Sequence, residues 1–194
     1  MRLKSYSFLN AKIIMAKVLN EKFFEQPTVT VAQKLLGKYL VRRWRGKIIK
    51  AMITEVEAYD GSKDKASHAS KGLTKRNFVM FGPAGYWYVY FTYGMHWMLN
   101  IVTGKKGYPA AVLIRGVKDI SGPARVTKFF KIGGSFNNKK ASKKTGLWIE
   151  DEGVVISKAQ IANSPRVGVA YAGPYWSKKH YRFHLIEHLE KEKS

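Results

Sequence analysis

Apolar residues in this chain come in short runs broken by glycine, proline and lysine, and none approaches the ~20 residues needed to span a bilayer. Pro27-Thr28-Val29-Thr30 opens a helical stretch over 31–36 that stops at Gly37. Residues 39–44 and 47–57 then read as strands around an Arg45-Gly46 turn. The stretch 86–93 is dense in β-formers, breaks at Gly94 and resumes over 97–102, which predicts a strand pair with a tight turn. Residues 110–117 form a further apolar strand. A helix is predicted over 123–132 with Pro123 near its first turn, followed by a polar, Lys- and Gly-rich loop over 133–145. A late strand is predicted over 166–172. There is no internal repeat and no long Pro- or Ser-rich linker. The expected fold is α+β: one domain with a curved, mostly antiparallel β-sheet and surrounding helices.

Charge sharpens this picture. The 194 residues are 45% hydrophobic and 13% aromatic, enough for a core and too apolar for wholesale disorder. Lys and Arg number 35 against 13 Asp and Glu, a net +22, which points to a polyanionic partner, nucleic acid before an anionic membrane. The absence of cysteine removes disulfides, thiolate zinc sites and a cysteine nucleophile. The first 20 residues carry four basic groups and no acid, so they read as a basic extension ahead of a domain over 21–194, with Met15 an alternative start.

Acids are scarce, and their placement is informative. The first 50 residues hold 12 basic groups and only Glu21 and Glu25, and 120–149 hold seven basic groups and no acid. Yet Glu55, Glu57, Asp60 and Asp64 fall together. Ion pairing with nearby lysines is the plain explanation. Catalysis is the sharper one, because a carboxylate beside a phosphodiester or glycosidic bond can act as a general base or hold a metal. Glu55 and Glu57 share one face of a strand, so periodicity does not separate them.

The aromatic run has the same two readings. Tyr86, Tyr88 and Tyr90 lie on one strand face and Trp87 and Phe91 on the other, as in a core, but aromatics in a basic protein also suit base stacking. A ring-alkylated purine is cationic, and an aromatic sandwich attracts it more than a neutral base. Tyr93, before Gly94, sits where a side chain could protrude. His180, His184 and His188 recur every four residues, which on a helix would mimic a metal-binding face; the same segment reads equally well as a strand. No phosphate loop or dinucleotide fingerprint occurs.

A longer set of residues carries more. Thr54-Glu55-Val56-Glu57-Ala58-Tyr59, His68, Thr74-Lys75-Arg76-Asn77, Met80-Phe81-Gly82-Pro83-Ala84-Gly85 and residues 88–101 stand in this order, followed by Val112-Leu113-Ile114-Arg115, Ser121-Gly122-Pro123-Ala124 and Ser164-Pro165-Arg166-Val167-Gly168-Val169. This set resembles the alkyladenine (3-methyladenine) DNA glycosylase family over roughly 23–185. The resemblance implies an enzyme of base-excision repair that flips an alkylated or deaminated purine from duplex DNA and hydrolyses its N-glycosidic bond, leaving an abasic site. It assigns Glu57 as general base for water, with Arg115 and the Val167 carbonyl holding that water. Tyr59, His68 and Tyr90 would stack on the base, Ala66 and His68 main-chain groups would meet its edge, Leu113 would line the pocket, and Asn100 would crowd the exocyclic amine of guanine. Tyr93 would fill the gap left in the stack, with Met95 beside it, and Thr74 and Arg76 would contact phosphate. Lys75 and Phe78 depart from the family's usual Pro and Arg. The implied enzyme is a monofunctional hydrolase and a monomer without cofactor or metal, in a bacterial cytoplasm at the nucleoid or in a eukaryotic nucleus. A metal-dependent nuclease using the acid cluster and a non-catalytic nucleic-acid binder are the competing readings.

Overall fold

The computed structural model describes residues 16–186. In chain order the elements are β1 (Lys17–Val18), α1 (Glu21–Phe24), α2 (Thr28–Leu35), β2 (Tyr39–Trp44), β3 (Lys47–Asp60), β4 (Trp87–Thr92), β5 (His96–Val102), β6 (Ala110–Val117), β7 (Ile120–Ser121), α3 (Pro123–Phe129), β8 (Leu147–Asp151), β9 (Ile161–Ser164), α4 (Gly173–Ser177) and β10 (Arg182–Leu185). The strands form one open sheet in the order β1-β8-β2-β3-β6-β5-β4, with β10 joining β3 to β9 and β7 pairing with β6. Every pairing among them is antiparallel. The α+β single-domain expectation holds. No helix among the described residues is long and apolar enough to cross a membrane.

The long strand β3 organises the molecule. Its first half pairs with β2 and its second half with β6 and β10. Between them the register slips around Glu55. An extra residue in one strand reverses which face the following side chains take. Ile53 and Val56 consequently both enter the main core although they are three apart, and Glu55, Glu57 and Tyr59 are turned to the opposite face. The neighbouring strands alternate in step. Trp87, Val89, Leu99, Ile101, Val112 and Ile114 pack into the main core beneath α2 and α3. Tyr88, Tyr90, Val102 and Ala111 face the other way.

Two expectations need correction. Residues 166–172 are not a strand: Pro165 and left-handed Gly168 interrupt any ladder, and the segment runs as a loop into a 3₁₀ turn. The strands of that region are β9 and β10. The helix α3 ends at Phe129 rather than 132, because Lys131 adopts a left-handed conformation and Phe130 turns into the core. Of the two readings of the histidine segment the strand holds: His184 lies on β10, so His180 and His184 make no helical ladder, and His188 lies outside the described residues. Residues before 21 also contribute to the sheet, since Lys17–Val18 pairs with β8 and Leu19 packs in the core.

Candidate active site

One cross-strand row brings the central residues together. Glu57 of β3 stands opposite Leu113 of β6, Leu113 opposite Asn100 of β5, and Asn100 opposite Tyr88 of β4. Alternation adds Tyr59, Arg115, Tyr90 and Met98 to the same face. The loops over 61–86 and 165–172 rise around this face and leave a cleft of about 800 Å³ that reaches from Glu57 and Arg115 to Tyr93.

Glu57 is fully buried. Its Oε2 accepts from the Tyr59 hydroxyl at 2.8 Å. Its Oε1 accepts the Val167 N–H at 2.8 Å and lies 3.4 Å from Arg115 Nη1. The contact from Val167 is thus its N–H. Burial pushes the Glu57 carboxyl up, against the pull of Arg115, the Val167 N–H and the Tyr59 hydroxyl. Glu55 is answered differently: Arg115 Nε at 2.9 Å and Arg182 Nε at 2.6 Å both donate to its Oε1. Gly116 makes room for it, since a Cβ there would stand 3.0 Å from that of Glu55. Two guanidinium groups hold Glu55, whereas Glu57 shares one and is otherwise met by neutral donors. Asp64 is bound by both terminal nitrogens of Arg166, at 2.5 and 2.8 Å, with neither side chain exposed. Asp60 accepts from Thr28 and Tyr108 hydroxyls. The pairing expected from lysines is therefore supplied by arginines and hydroxyls. Among the described residues, no group of three or more His, Asp or Glu side chains gathers as a metal-ion set.

Beside the row lies a small recess of about 40 Å³, lined by Tyr59, Ala66, His68, Met80, Tyr88, Tyr90, Asn100 and Tyr171. His68 Nδ1 and the Tyr88 hydroxyl are 2.9 Å apart, and the His68 and Tyr90 rings meet edge to face at 4.7 Å. Burial, followed by the charges of Arg76 and Lys71, holds His68 down at about 4, so its ring is neutral at neutral pH. The Asn100 amide donates to the Tyr88 carbonyl at 3.2 Å. The Ala66 N–H donates to Asp64 and its carbonyl accepts from Tyr171, while the His68 carbonyl accepts from Asn77. Leu113 is buried in the floor of the wider cleft.

The rim is built by a hairpin and a loop. Tyr93 and Gly94 are both left-handed, with φ of 53° and 66°, and the Met95 N–H closes the turn on Thr92 at 3.2 Å. This turn leaves Tyr93 82% and Met95 66% exposed. Positive φ is uncommon in a bulky residue, and here the tight turn requires it. Across the cleft, buried Asn77 ties down the 72–77 loop through Thr74, His68 and Gly72. Thr74, Lys75 and Arg76 remain exposed on it, and so does Phe78 at its end. Arg76 donates to the Phe91 carbonyl and lies 5.0 Å from the Tyr90 ring.

Comparison with known proteins identifies the family. The profile of the methylpurine-DNA glycosylase (MPG) family matches residues 22–121 and 118–188. A curated relative from Methanocella arvoryzae is 43% identical over 176 residues, spanning 80% of this chain and 86% of its own. Relatives from Legionella pneumophila (strain Lens) and Ehrlichia chaffeensis are 42% and 40% identical, over 86% and 79% of this chain and 93% and 87% of theirs. Each carries "3-methyladenine DNA glycosylase" in its name. The chain belongs to the methylpurine-DNA glycosylase family.

In this DNA glycosylase, three residues without a role in the sequence reading hold the site together. Arg166 donates to the Ala58 carbonyl as well as to Asp64, and lies against the Tyr59 ring at 4.9 Å. It thereby anchors the loop that presents Val167 to Glu57. Asn77 anchors the rim loop. Both lie within quoted motifs, but only their contacts reveal what they do. Tyr171 lies outside those motifs: the residue is 71% exposed while its hydroxyl reaches the Ala66 carbonyl at 3.0 Å across the recess.

Proposed function

We propose that this glycosylase removes alkylated or deaminated purines, 3-methyladenine among them, from duplex DNA by monofunctional hydrolysis. The observation that carries the reading is Glu57, a buried carboxylate with a raised pKa that opens onto a basic cleft and stands in register with the aromatic recess. Flipping a nucleotide costs a few kcal/mol, and least for a damaged pair. Exposed Tyr93 enters the stack behind it, offsetting lost stacking by ~1–3 kcal/mol. Tyr59, His68 and Tyr90 then stack on the purine, with Asn100 against its edge disfavouring the guanine amine. Thr74 and Arg76 hold phosphate.

In the reaction, Glu57 takes a proton from water held near Arg115 and Val167 while the water oxygen bonds to the sugar carbon and the C–N bond breaks. The base leaves with the bonding electrons. A cationic base leaves neutral, and a neutral deaminated base leaves as an anion that takes up a proton from solvent, so neither needs an amine nucleophile. The relatives' names support the lesion class, and the commitment of Glu55 and Asp64 to arginines weighs against a metal nuclease.

Glu57→Gln tests the reading. The amide oxygen can still accept the Val167 N–H, and the amide N–H can donate to the Tyr59 oxygen, so folding and duplex binding should persist. Excision of 3-methyladenine in a single turnover with chelator present should fall by on the order of 10²–10⁴. Wild-type turnover by this variant would exclude Glu57 as the base.

A further inference from the structure

Among the acid-free stretches of the chain, 26–54 and 120–149 each carry seven basic residues. The fold sets them side by side. β2 pairs with β8, the Arg43 N–H donates to the Gly146 carbonyl at 2.8 Å, and Arg42 lies 4.5 Å from the Phe136 ring. At the tip of the β2–β3 hairpin, Trp44 has the Arg45 guanidinium 4.7 Å and the Lys131 ammonium 6.0 Å from its ring. Arg43, Arg45, Lys47, Lys131, Lys143 and Lys144 are all exposed there.

Among the described residues, three lysines meet acids: Lys38 pairs with Asp151, Lys50 with Glu150 and Glu152, and Lys140 with Glu21. None of the six at the hairpin has a carboxylate partner among the described residues. Uncompensated like charges repel one another, so this patch gains from a polyanion that no other part of the described fold supplies. It is also remote from the cleft. Ten residues of β3 separate Lys47 from Glu57, roughly 30 Å along a strand.

We infer that this hairpin patch is a second, non-catalytic binding surface for the phosphates of duplex DNA. The inference rests on the glycosylase reading for the identity of the polyanion, and on nothing in the catalytic site. About 30 Å corresponds to roughly nine base pairs at ~3.4 Å per step. The patch can therefore engage either the flank of the duplex in the cleft or a separate duplex.

The test is R43Q/R45Q/K47Q/K131Q, with K47Q/K143Q/K144Q as a second variant that leaves Arg45 on Trp44 and Arg43 5.9 Å from the Trp148 ring. Affinity for undamaged duplexes of 10 and 30 base pairs is measured against salt. Each lost phosphate contact should flatten the slope of log K against log salt by about 0.9, giving a change of about 2 to 4 for the quadruple variant. A change confined to the longer duplex assigns the patch to the flank; a change on both assigns it to a separate duplex. Single-turnover excision at saturating enzyme should equal wild type. Unchanged slopes in both variants would overturn the inference, as would a fall in saturated excision, which would put the patch in the catalytic footprint. If even the wild type released no base, the glycosylase reading would fail while the slope comparison still decided this one.

Discussion

Glu55 and Glu57 differ by two positions and by the charges that answer them. The pleat puts both on one face, and nothing in their spacing ranks them. The distinction comes from Arg182, 127 residues along the chain from Glu55, which gives that carboxylate a second cation and leaves Glu57 with one shared guanidinium and neutral donors. Such a contact has no local signature; only the resemblance selected Glu57 in advance. The raised pKa has a measurable consequence. A general base works in its ionised form, so activity is lost as pH falls through a pKa held above the ordinary carboxylate range by burial. With 3-methyladenine the leaving base is already cationic, and the acid limb of single-turnover excision reports this carboxylate. That limb should lie above the pH where an exposed Glu titrates. No limb should come from His68, which stays neutral until about pH 4. A limb set instead by His68, abolished in His68→Gln with Glu57 intact, would contradict this assignment.

At the scale of elements, the strands that line the cleft were legible and the loop that completes it was not. The β-formers of β4, the break at Gly94 and the apolar runs of β5 and β6 mark their own boundaries. Residues 166–172 carry the same apolar alternation, but Pro165 and left-handed Gly168 break it into a loop from which Arg166 turns inward onto Asp64. Asp64→Asn keeps the shape and removes the charge, leaving the guanidinium buried without a counter-ion. Denaturant unfolding should show a loss of about 3–5 kcal/mol. A loss below about 1 kcal/mol would mean that Arg166 is held by the Ala58 carbonyl and its ring contacts instead. The β4–β5 hairpin makes the opposite prediction. Alanine at Tyr93 carries the same Cβ, so the left-handed backbone is no more strained, and the exposed ring leaves no cavity. Tyr93→Ala should melt with wild type while its capture of a flipped lesion, read from a fluorescent base analogue, weakens by ~1–3 kcal/mol. Unfolding by this substitution would show that the ring supports the hairpin and would end its role as a plug.

For the molecule as a whole, the net charge of +22 makes salt act with opposite signs on stability and on binding. The sequence revealed the excess, but not that its buried acids are consumed internally. Glu55 lies between Arg115 and Arg182, and Asp64 is clasped by Arg166, all within the interior where screening is weak. What salt can reach is therefore mostly cation against cation: the rim lysines, the hairpin patch and the exposed lysines of 139–144. Screening those repulsions favours the compact state. Thermal melts of the free protein should rise as NaCl increases from about 20 mM to 300 mM, a range over which the Debye length falls from roughly 20 Å to 6 Å. Affinity for duplex DNA should fall over the same range, because counterions released on binding must be returned to a more concentrated bath. Glu57→Gln should show the same two trends, since it alters the chemistry and only one buried charge. A melting temperature that falls with salt would mean that exposed attractive pairs outweigh the repulsion, and the surface would have to be redrawn with its carboxylates matched to those lysines.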